Sequence, residues 1–271
     1  MSGTQLPFVQ VDAFADAPFT GNPAAVMALD RWLPDDVLQS IAAENNLAET
    51  AFTVPLSAGE GADYALRWFT PTVEIALCGH ATLASGHVLI GDRALLRFRT
   101  MQAGDLVVAR ADAGALAMRL PDWGAVPKPR PDLAAMLGGE CQLTLWREGG
   151  YMVCVYRDEA AVRALAPDLA AMRAAGSILF IATAPGESTD IVSRVFAPGA
   201  GVDEDSVTGS AHCVIARYWA DRLGRASFSA RQASARGGLM ECRLDEGSDG
   251  QSDGVILTGR CRTVITGDFW L

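Results

Sequence analysis

The sequence predicts an α+β protein made of two related halves, each a curled β-sheet around one central α-helix. Strand-like segments greatly outnumber helical ones along the 271 residues, without the regular strand–helix alternation of a doubly wound sheet. Two helices, near 81–90 and 210–220, are apolar on nearly every face, which is typical of helices surrounded by other elements. The segments that precede these two helices resemble each other, which indicates a duplicated unit.

The first half contains one helix with clear end signals. Pro34 and the two acids that follow predict its start, because proline suits the first turn and carboxylates suit the positive end of the helix dipole. Asn45 and Asn46 are candidate C-caps because asparagine tolerates a left-handed backbone. Glu49 therefore lies at a helix-to-strand junction, where side chains often project into a cleft. Strands are predicted at 8–14, 24–29, 50–54, 65–69, 95–110 and 116–120.

Four prolines and one glycine make the segment 121–131 the best linker candidate. We therefore expect an N-terminal domain at 1–121, joined by the last strand at 262–271, and a C-terminal domain at 126–261. In the second half, strands are predicted at 142–146, 151–156, 178–183, 191–196, 226–230, 239–244, 254–257 and 262–271.

The duplicated motif consists of a strand, an acidic loop, a glycine turn and a buried helix. In the first half, Phe69-Thr-Pro71 leads through Glu74 to Cys78-Gly79-His80-Ala81. In the second half, Phe196-Ala-Pro198 leads through Glu204 and Asp205 to Thr208-Gly209-Ser210-Ala211. Two matches in register, each followed by an apolar helix, favour a true internal repeat over coincidence.

The glycine turns suggest where an anion would bind. A glycine before a helix lets the backbone turn sharply and leaves the first N–H groups unpaired. Two such ends facing one cleft would bind a carboxylate or stabilise an enolate-like anion. The candidate substrate-binding residues are therefore Gly79, Ala81, Gly209 and Ser210, together with the residues before the two glycines, Cys78 and Thr208. Two ordinary helix caps are the alternative.

Composition excludes several classes of protein. The formal net charge of -10 argues against a nucleic-acid binder, which needs a basic face. The N-terminus has neither a basic start nor an apolar run, so no signal peptide is expected, and no segment reaches the ~18 apolar residues of a membrane span. The six cysteines form no C-x-x-C pair, which favours free thiols in a reducing cytoplasm. No dinucleotide or P-loop fingerprint is present.

A metal site is also not expected. His80 and His87 lie seven residues apart on the first buried helix, about 10 Å at ~1.5 Å per residue, which disfavours a shared ion. Only His212 remains, with no acidic pair at ligand spacing beside it. His87 is interpreted as a packed core histidine, whereas His80 directly follows the turn glycine at the helix mouth.

Two side chains are candidates for proton transfer. A carboxylate partly removed from water has a raised pKa and can carry a proton near neutral pH, although an isolated glutamate such as Glu49 is more often a solvated surface charge. Cys78 and Thr208 occupy matching places in the repeats. A thiol near a helix N-terminus has a lowered pKa and could serve as a base, although Cys78 also fits as a small buried residue. Thr208 could not mirror such a base, which favours isomerisation or elimination over a symmetric racemase.

These motifs resemble the PhzF-like family of phenazine-biosynthesis isomerases. The resemblance implies a diaminopimelate-epimerase-like fold, with two pseudo-symmetric domains and the active site between them. It also implies a cofactor-independent enzyme that is commonly a homodimer. The matching segments are Val11-Asp12-Ala13-Phe14, Gly21-Asn22-Pro23, Asn46-Leu-Ala-Glu49-Thr50, Phe69-Thr-Pro71, Gly79-His80-Ala81-Thr82, Phe196-Ala-Pro198 and Asp205-Ser-Val-Thr208-Gly209-Ser210-Ala211.

The resemblance implies an isomerase in which Glu49 is the acid/base that moves a proton between carbons of a small, carboxylate-bearing substrate. His80 and Asp205 would assist by hydrogen bonding or proton relay, and Ser210 with Gly209 would help to hold the substrate. Cys78 is similar to the first cysteine of diaminopimelate epimerase, whereas Thr208 replaces the second. The alternatives are a Cys78-based one-base epimerase or dehydratase, and a small-ligand binding protein without turnover. The motifs do not specify the substrate.

Overall fold

The chain divides into two units. The computed structural model describes residues 4–246 and 252–271. One unit comprises Met1–Arg119 with Thr258–Leu271, and the other comprises Leu120–Leu257. Residues 1–3, which begin the segment considered for a signal peptide, and residues 247–251, inside the expected C-terminal domain, lie outside the described part. Among the described residues, no helix is long and apolar enough to cross a membrane.

The first unit is a sheet with two helices. Its second helix is buried over seven consecutive residues, from His80 to Gly86, and contacts strands β1, β2, β3, β7 and β18 defined below. A helix apolar all round requires such an enclosed position. The elements are β1 Gln5–Ala13, β2 Asn22–Ala28, α1 Asp35–Asn45, β3 Glu49–Pro55, β4 Tyr64–Phe69, β5 Glu74–Ile75, α2 Gly79–Leu89, β6 Leu95–Thr100, β7 Asp105–Arg110, β8 Leu116–Pro121 and β18 Cys261–Trp270.

The second unit is also a sheet that packs on helices. Its long last helix contacts β11 and β16 and buries nine of its residues. The elements are β9 Val126–Pro127, α3 Pro131–Leu137, β10 Leu143–Arg147, β11 Tyr151–Val155, α4 Glu159–Arg163, α5 Leu169–Ala174, β12 Leu179–Pro185, β13 Ile191–Ala197, β14 Val202–Asp205, α6 Gly209–Leu223, β15 Ser227–Gln232, β16 Gly238–Glu246 and β17 Ser252–Gly259.

Strand pairing repeats between the units. In the first, β1–β2 is antiparallel, β2–β3 parallel, β3–β4 and β4–β5 antiparallel, β4–β6 parallel and β6–β7 antiparallel. In the second, β10–β11, β11–β12, β12–β13, β13–β14, β13–β15 and β15–β16 follow the same succession. The repeat seen in the sequence motif therefore extends over seven consecutive strands of each unit, β1–β7 and β10–β16. In each unit a further strand pairs antiparallel with the first strand of this succession: β18 pairs with β1, and β9 pairs with β10.

Two details of the element predictions are wrong. The run 95–110 is two antiparallel strands, β6 and β7, because Gly104 adopts a left-handed φ of 72° and closes a turn with Thr100. The short helices α3, α4 and α5 were not predicted, because five to seven residues contain too few turns to show a helical period. The proline-rich segment also contains the two-residue strand β9.

Candidate functional site

Glu49 begins β3 immediately after a capped helix. Helix α1 ends at Asn46, which adopts the left-handed conformation (φ 48°, ψ 34°) and donates its N–H to the Ala42 carbonyl at 3.2 Å. Asn45 Nδ2 donates to Thr50 Oγ1 at 3.0 Å, which fixes the junction between helix and strand. Of the two predicted caps, Asn46 is the one used. The Glu49 side chain is 15% exposed, so its carboxylate is partly removed from water.

His80 lies in the first turn of α2. The helix starts at Gly79 after Cys78, an extended residue (φ -137°, ψ 110°) whose side chain makes no capping hydrogen bond within the described chain. Thr82 Oγ1 donates to the Cys78 carbonyl at 2.6 Å. The first N–H groups of α2 therefore lack a side-chain cap, as the glycine turn predicts. His80 is buried, and Ala81 is fully buried behind it.

Four side chains form what we call the Glu49 cluster: Asn22, Glu49, Cys78 and His80. His80 Nε2 lies 2.8 Å from Glu49 Oε2. His80 Nδ1 lies 3.2 Å from Asn22 Nδ2 and 3.5 Å from Cys78 Sγ. The imidazole thus lies between a carboxylate on one side and an amide and a thiol on the other. The structure brings together Glu49, His80 and Cys78, which were all predicted as site residues.

The charge of His80 follows from its neighbours. Burial favours the neutral ring and is the largest single effect, but the electrostatic and hydrogen-bonding interactions with Cys78 and Glu49 together outweigh it and raise the pKa of His80 well above its usual value. A protonated ring has donors on both nitrogens, so Nε2–H can donate to Glu49. On the other side, the amide oxygen of Asn22 can accept from Nδ1–H once the amide is turned, since its two ends are interchangeable in assignment.

Cys78 is a thiol in this environment. Burial, followed by the charge of Glu49, raises the pKa of the Cys78 thiol to about 11. This direction is opposite to the lowering expected from a helix N-terminus alone. The reason is that a buried thiolate beside a carboxylate loses its hydration and meets a like charge.

Asn22 was part of a quoted motif but was not predicted to be a site residue. It is buried and begins β2 directly after Gly21, which has a φ of 79°. A Cβ at Gly21 would lie 2.4 Å from the Ala13 carbonyl oxygen, so only glycine fits there. The tight turn at Gly21 therefore places the Asn22 amide against His80.

A second group, which we call the Asp205 cluster, comprises Asp205, Thr208 and Gln232 in the second unit. Thr208 Oγ1 donates to Asp205 Oδ2 at 2.5 Å, and the Thr208 N–H donates to Gln232 Oε1 at 2.8 Å. Gln232 Nε2 donates to the Asp205 carbonyl at 2.7 Å. Gln232 is fully buried and was not predicted, because it comes from β15, well after the motif. Its amide holds the loop that precedes α6.

Ser210 follows Gly209 in the first turn of α6, as His80 follows Gly79 in α2. Its side chain lies beside the hydroxyl of Tyr151, the first residue of β11. Burial raises the pKa of Tyr151, so the phenol is neutral near pH 7. The Arg147 guanidinium lies 4.7 Å from the Trp123 ring centroid and 5.4 Å from that of Tyr151. The sequence motif did not reveal this cluster of Trp123, Arg147 and Tyr151.

Two acids of the repeated motif, Glu74 and Glu204, each pair with an arginine. Glu74 receives two hydrogen bonds from Arg67, both at 2.7 Å. In the second unit, Glu204 receives two from Arg194 at 2.8 and 3.0 Å. Each arginine also lies over the phenylalanine two residues later, Phe69 or Phe196. The repeat thus preserves an arginine–glutamate pair that closes each strand-to-loop turn.

The other two histidines lie outside the Glu49 cluster. His87 is half-buried rather than a core residue, and its Nε2 lies 3.1 Å from Thr263 Oγ1 on β18. His212 is fully buried, with Nδ1 2.8 Å from the Thr208 carbonyl oxygen, and burial lowers its pKa to about 4. Among the described residues, ligand atoms of Glu49, Cys78 and His80 lie within 4.8 Å of one another, close enough to hold a metal ion.

The model of the PhzC-PhzF family, phenazine biosynthesis-like proteins, matches residues 11–267. The chain belongs to the PhzF-like family. It is 45% identical to an uncharacterized isomerase of Pseudomonas aeruginosa, over 98% of this chain and all of that protein. The crystal structure of a PhzF-family phenazine biosynthesis protein from Enterococcus faecalis is 40% identical, with a TM-score of 0.89 over 99% of this chain and all of the other.

A more distant structure, described as a predicted epimerase of Pseudomonas aeruginosa, shares the fold alone. It has a TM-score of 0.68 and 19% identity, and the match covers 97% of this chain and 99% of the other. Together with the PhzF-like structure, it confirms the predicted α+β, diaminopimelate-epimerase-like fold class.

Proposed function

We propose that this PhzF-like chain is an isomerase that moves a proton between carbons of a small carboxylate-bearing substrate, with Glu49 as the acid/base. The observation that carries the proposal is the 2.8 Å contact between Glu49 Oε2 and His80 Nε2 at the uncapped start of α2. It joins a partly exposed carboxylate to a buried cationic ring. The name of the isomerase from Pseudomonas aeruginosa supports the same reaction class.

The chemistry needs one carboxylate to act twice. The Glu49 carboxylate takes a proton from a carbon next to an activating group, and the electron pair of the broken C–H bond moves into that group as an enolate-like anion. The same carboxyl group then returns the proton to another carbon, while the double bond shifts. A positioned acid/base of this kind contributes about 10²–10⁴-fold in rate.

His80 supports this cycle as a positioning residue. Its raised pKa keeps the ring protonated, so Nε2–H can donate to Glu49 and hold one carboxylate oxygen in place. Asn22 holds the opposite side of the ring. The Gly79 and His80 N–H groups at the start of α2 are the donors that we assign to a bound anion.

The proposal assigns one base, not two. Cys78 has a pKa of about 11 and remains a thiol near neutral pH, which disfavours the Cys78-based alternative. Thr208, at the matching place, is bonded through its hydroxyl to Asp205. By family resemblance we assign substrate binding to Gly209 and Ser210, and an assisting role to Asp205.

Hydrogen–deuterium exchange tests this function. Carboxylated candidate substrates are incubated with the protein in deuterated water, and deuterium uptake at carbon is followed by NMR. The wild-type protein should exchange at least one candidate, and Glu49→Gln should lose about 10²–10⁴-fold of that rate. Glu44→Gln, an exposed acid on α1, is the matched control and should keep it. Exchange that persists undiminished in Glu49→Gln would exclude the proposed base.

A further inference from the structure

We propose that Thr82 and His212 are positioning residues, which hold the peptide groups at the two glycine turns in the orientation that the substrate needs. Each lies three residues after its glycine, Gly79 or Gly209, on a buried helix. Each side chain bonds the carbonyl of the residue before that glycine. This inference rests on the proposed function, which assigns both glycines to substrate binding.

At each turn, the side-chain bond is shorter than the backbone bond to the same carbonyl. The Cys78 carbonyl oxygen accepts from Thr82 Oγ1 at 2.6 Å and from the Thr82 backbone nitrogen at 3.2 Å. The Thr208 carbonyl oxygen lies 2.8 Å from His212 Nδ1 and 3.4 Å from the His212 backbone nitrogen. Because N–H···O bonds are usually about 2.9–3.0 Å long, both backbone bonds are stretched. The two side chains therefore supply the tighter restraint.

A carbonyl held in this way fixes the N–H group of the same peptide unit. The unit is planar, and its C=O and N–H point in opposite directions. The Cys78 carbonyl is directed into α2 toward Thr82, so the Gly79 N–H is directed out of the start of the helix. Glycine has no Cβ that restricts its backbone, so the orientation depends on such a restraint. A donor on the carbonyl also polarises the unit and strengthens its N–H as a donor by about 10–30%.

The two repeats make the same bond with different side chains. Thr82 donates with its hydroxyl, whereas His212 donates with Nδ1–H, because the carbonyl beside Nδ1 can only accept. Burial lowers the pKa of His212 to about 4, so the ring is neutral near pH 7 and Nε2 can accept from Ser193 Oγ at 3.3 Å. The bond is therefore repeated although the residue type is not, which indicates that the bond itself serves both turns.

A third bond of the same kind separates positioning from simple helix packing. Ser85 Oγ donates to the Ala81 carbonyl at 2.8 Å, and Ser85 is fully buried like Thr82. The N–H on the other side of that peptide unit belongs to Thr82 and bonds the Cys78 carbonyl within the helix, so it does not face a substrate. Ser85→Ala is therefore the matched control for the loss of one hydroxyl bond inside α2.

Steady-state kinetics tests Thr82, with the carboxylated compound that the wild-type protein exchanges in deuterated water. Thr82→Val keeps the branched shape and removes the hydroxyl. Loss of a whole oxyanion donor costs about 10²–10³-fold in kcat, so a donor that is kept but loosened should cost about 10-fold. KM should stay within about two-fold, because the orientation matters most for the anion that develops in the transition state. Thr82→Ser should restore kcat, and Ser85→Ala should leave kcat and KM unchanged.

The second turn is tested with two variants of His212. His212→Leu removes the donor and should lower kcat, whereas His212→Gln can still donate to the Thr208 carbonyl and should keep it. Urea unfolding of every variant reports its folding, and Thr82→Val and Ser85→Ala should shift the midpoint by similar amounts.

The outcomes separate this inference from the proposed function. An unchanged kcat in Thr82→Val, or an equal loss of kcat in Ser85→Ala, overturns the positioning role. Exchange that is lost in Glu49→Gln but complete in Thr82→Val overturns the positioning role alone. Exchange that survives in Glu49→Gln but falls in Thr82→Val, with rescue by Thr82→Ser, overturns the proposed base and keeps the positioning role.

Discussion

Leu179 occupies in the second unit the position that Glu49 occupies in the first. Glu49 begins β3, which runs parallel to β2, and it lies opposite Ala24. Leu179 begins β12, which runs parallel to β11, and it lies opposite Tyr151. The next residue along each strand lies opposite the phenylalanine of the repeated motif, Phe69 or Phe196. The scaffold is therefore duplicated without a second carboxylate at this position.

The first prediction follows from this asymmetry. Leu179→Ala should keep the proton-exchange rate within about 10-fold of wild type, because an apolar side chain cannot replace a base that contributes about 10²–10⁴-fold. The rates are compared in deuterated water with Glu49→Gln and wild type side by side. Equal losses in Leu179→Ala and Glu49→Gln would mean that the leucine position matters as much as the carboxylate and would contradict a single base.

The second prediction concerns the hydroxyl of Tyr151. Tyr151→Phe removes the hydroxyl that lies beside Ser210, so the serine loses a hydrogen-bonding group that can orient it. Loss of one hydrogen bond of about 1–1.5 kcal/mol should raise KM about 5–10-fold and leave kcat nearly unchanged. Steady-state kinetics on the substrate found by exchange measures this.

Controls separate this effect from simple loss of packing. Tyr218→Phe removes a hydroxyl that receives a hydrogen bond from Arg222 on the same helix, and it should leave KM unchanged. Ser210→Ala should raise KM by a similar factor, and the double variant should add little, because both changes break the same bond. Fully additive effects would show that Tyr151 acts without Ser210.

The sequence motif located much of the candidate site because the residues lie close together along the chain. The glycine turns, the junction at Glu49 and the place of His80 depend on local signals that a short segment contains. Asn22 and Gln232 escaped prediction, since each reaches its cluster from a strand far along the chain. The fold class was also readable, because the repeat and the two apolar helices are patterns of whole segments.

The role of the acids could not be read in the same way. Glu74, Glu204 and Asp205 all precede a glycine turn, on the short strands β5 and β14, and sequence alone does not show which arginine each glutamate contacts. The partners of the two glutamates, Arg67 and Arg194, lie on the preceding strands and are aligned with them only by antiparallel pairing. Folding, which brings Arg67 to Glu74 and Arg194 to Glu204, therefore decides which arginine each glutamate binds.

The third prediction tests that structural role. Arg67→Met leaves Glu74 without its partner in a half-buried place, where the Arg67 side chain is only 11% exposed. We expect a loss of about 2–4 kcal/mol in the free energy of unfolding, measured with urea. Arg194→Met should cost a similar amount, because Arg194 pairs with Glu204 in the same geometry.

An exposed pair provides the matched control. Arg99 binds Asp105 through two nitrogens as well, but both side chains are more than 40% exposed. Arg99→Met should therefore cost at most about 1 kcal/mol. If Arg67→Met and Arg99→Met cost the same, burial does not determine the strength of these pairs.

The fourth prediction concerns the acid sensitivity of folding. Burial lowers the pKa of His212 to about 4 in the folded protein, from 6.5 in an exposed histidine. Below pH 6.5 the unfolded chain binds a proton at this residue that the folded chain does not. Stability from the neutral ring is therefore complete above pH 6.5, falls as the pH drops, and is lost by about pH 4. The difference between the two pKa values of His212 corresponds to about 3 kcal/mol in the free energy of unfolding.

His212→Gln should flatten this part of the pH profile, because glutamine can still donate to the Thr208 carbonyl but does not titrate. Urea unfolding at intervals between pH 7.5 and pH 4 gives the two profiles, and their difference removes the effect of the carboxylates that both proteins share. His87→Gln is the control: His87 is half-buried and its pKa is lowered to a lesser degree by partial burial, so its profile should stay closer to wild type. Parallel profiles for wild type and His212→Gln would show that His212 is protonated without cost in the folded state.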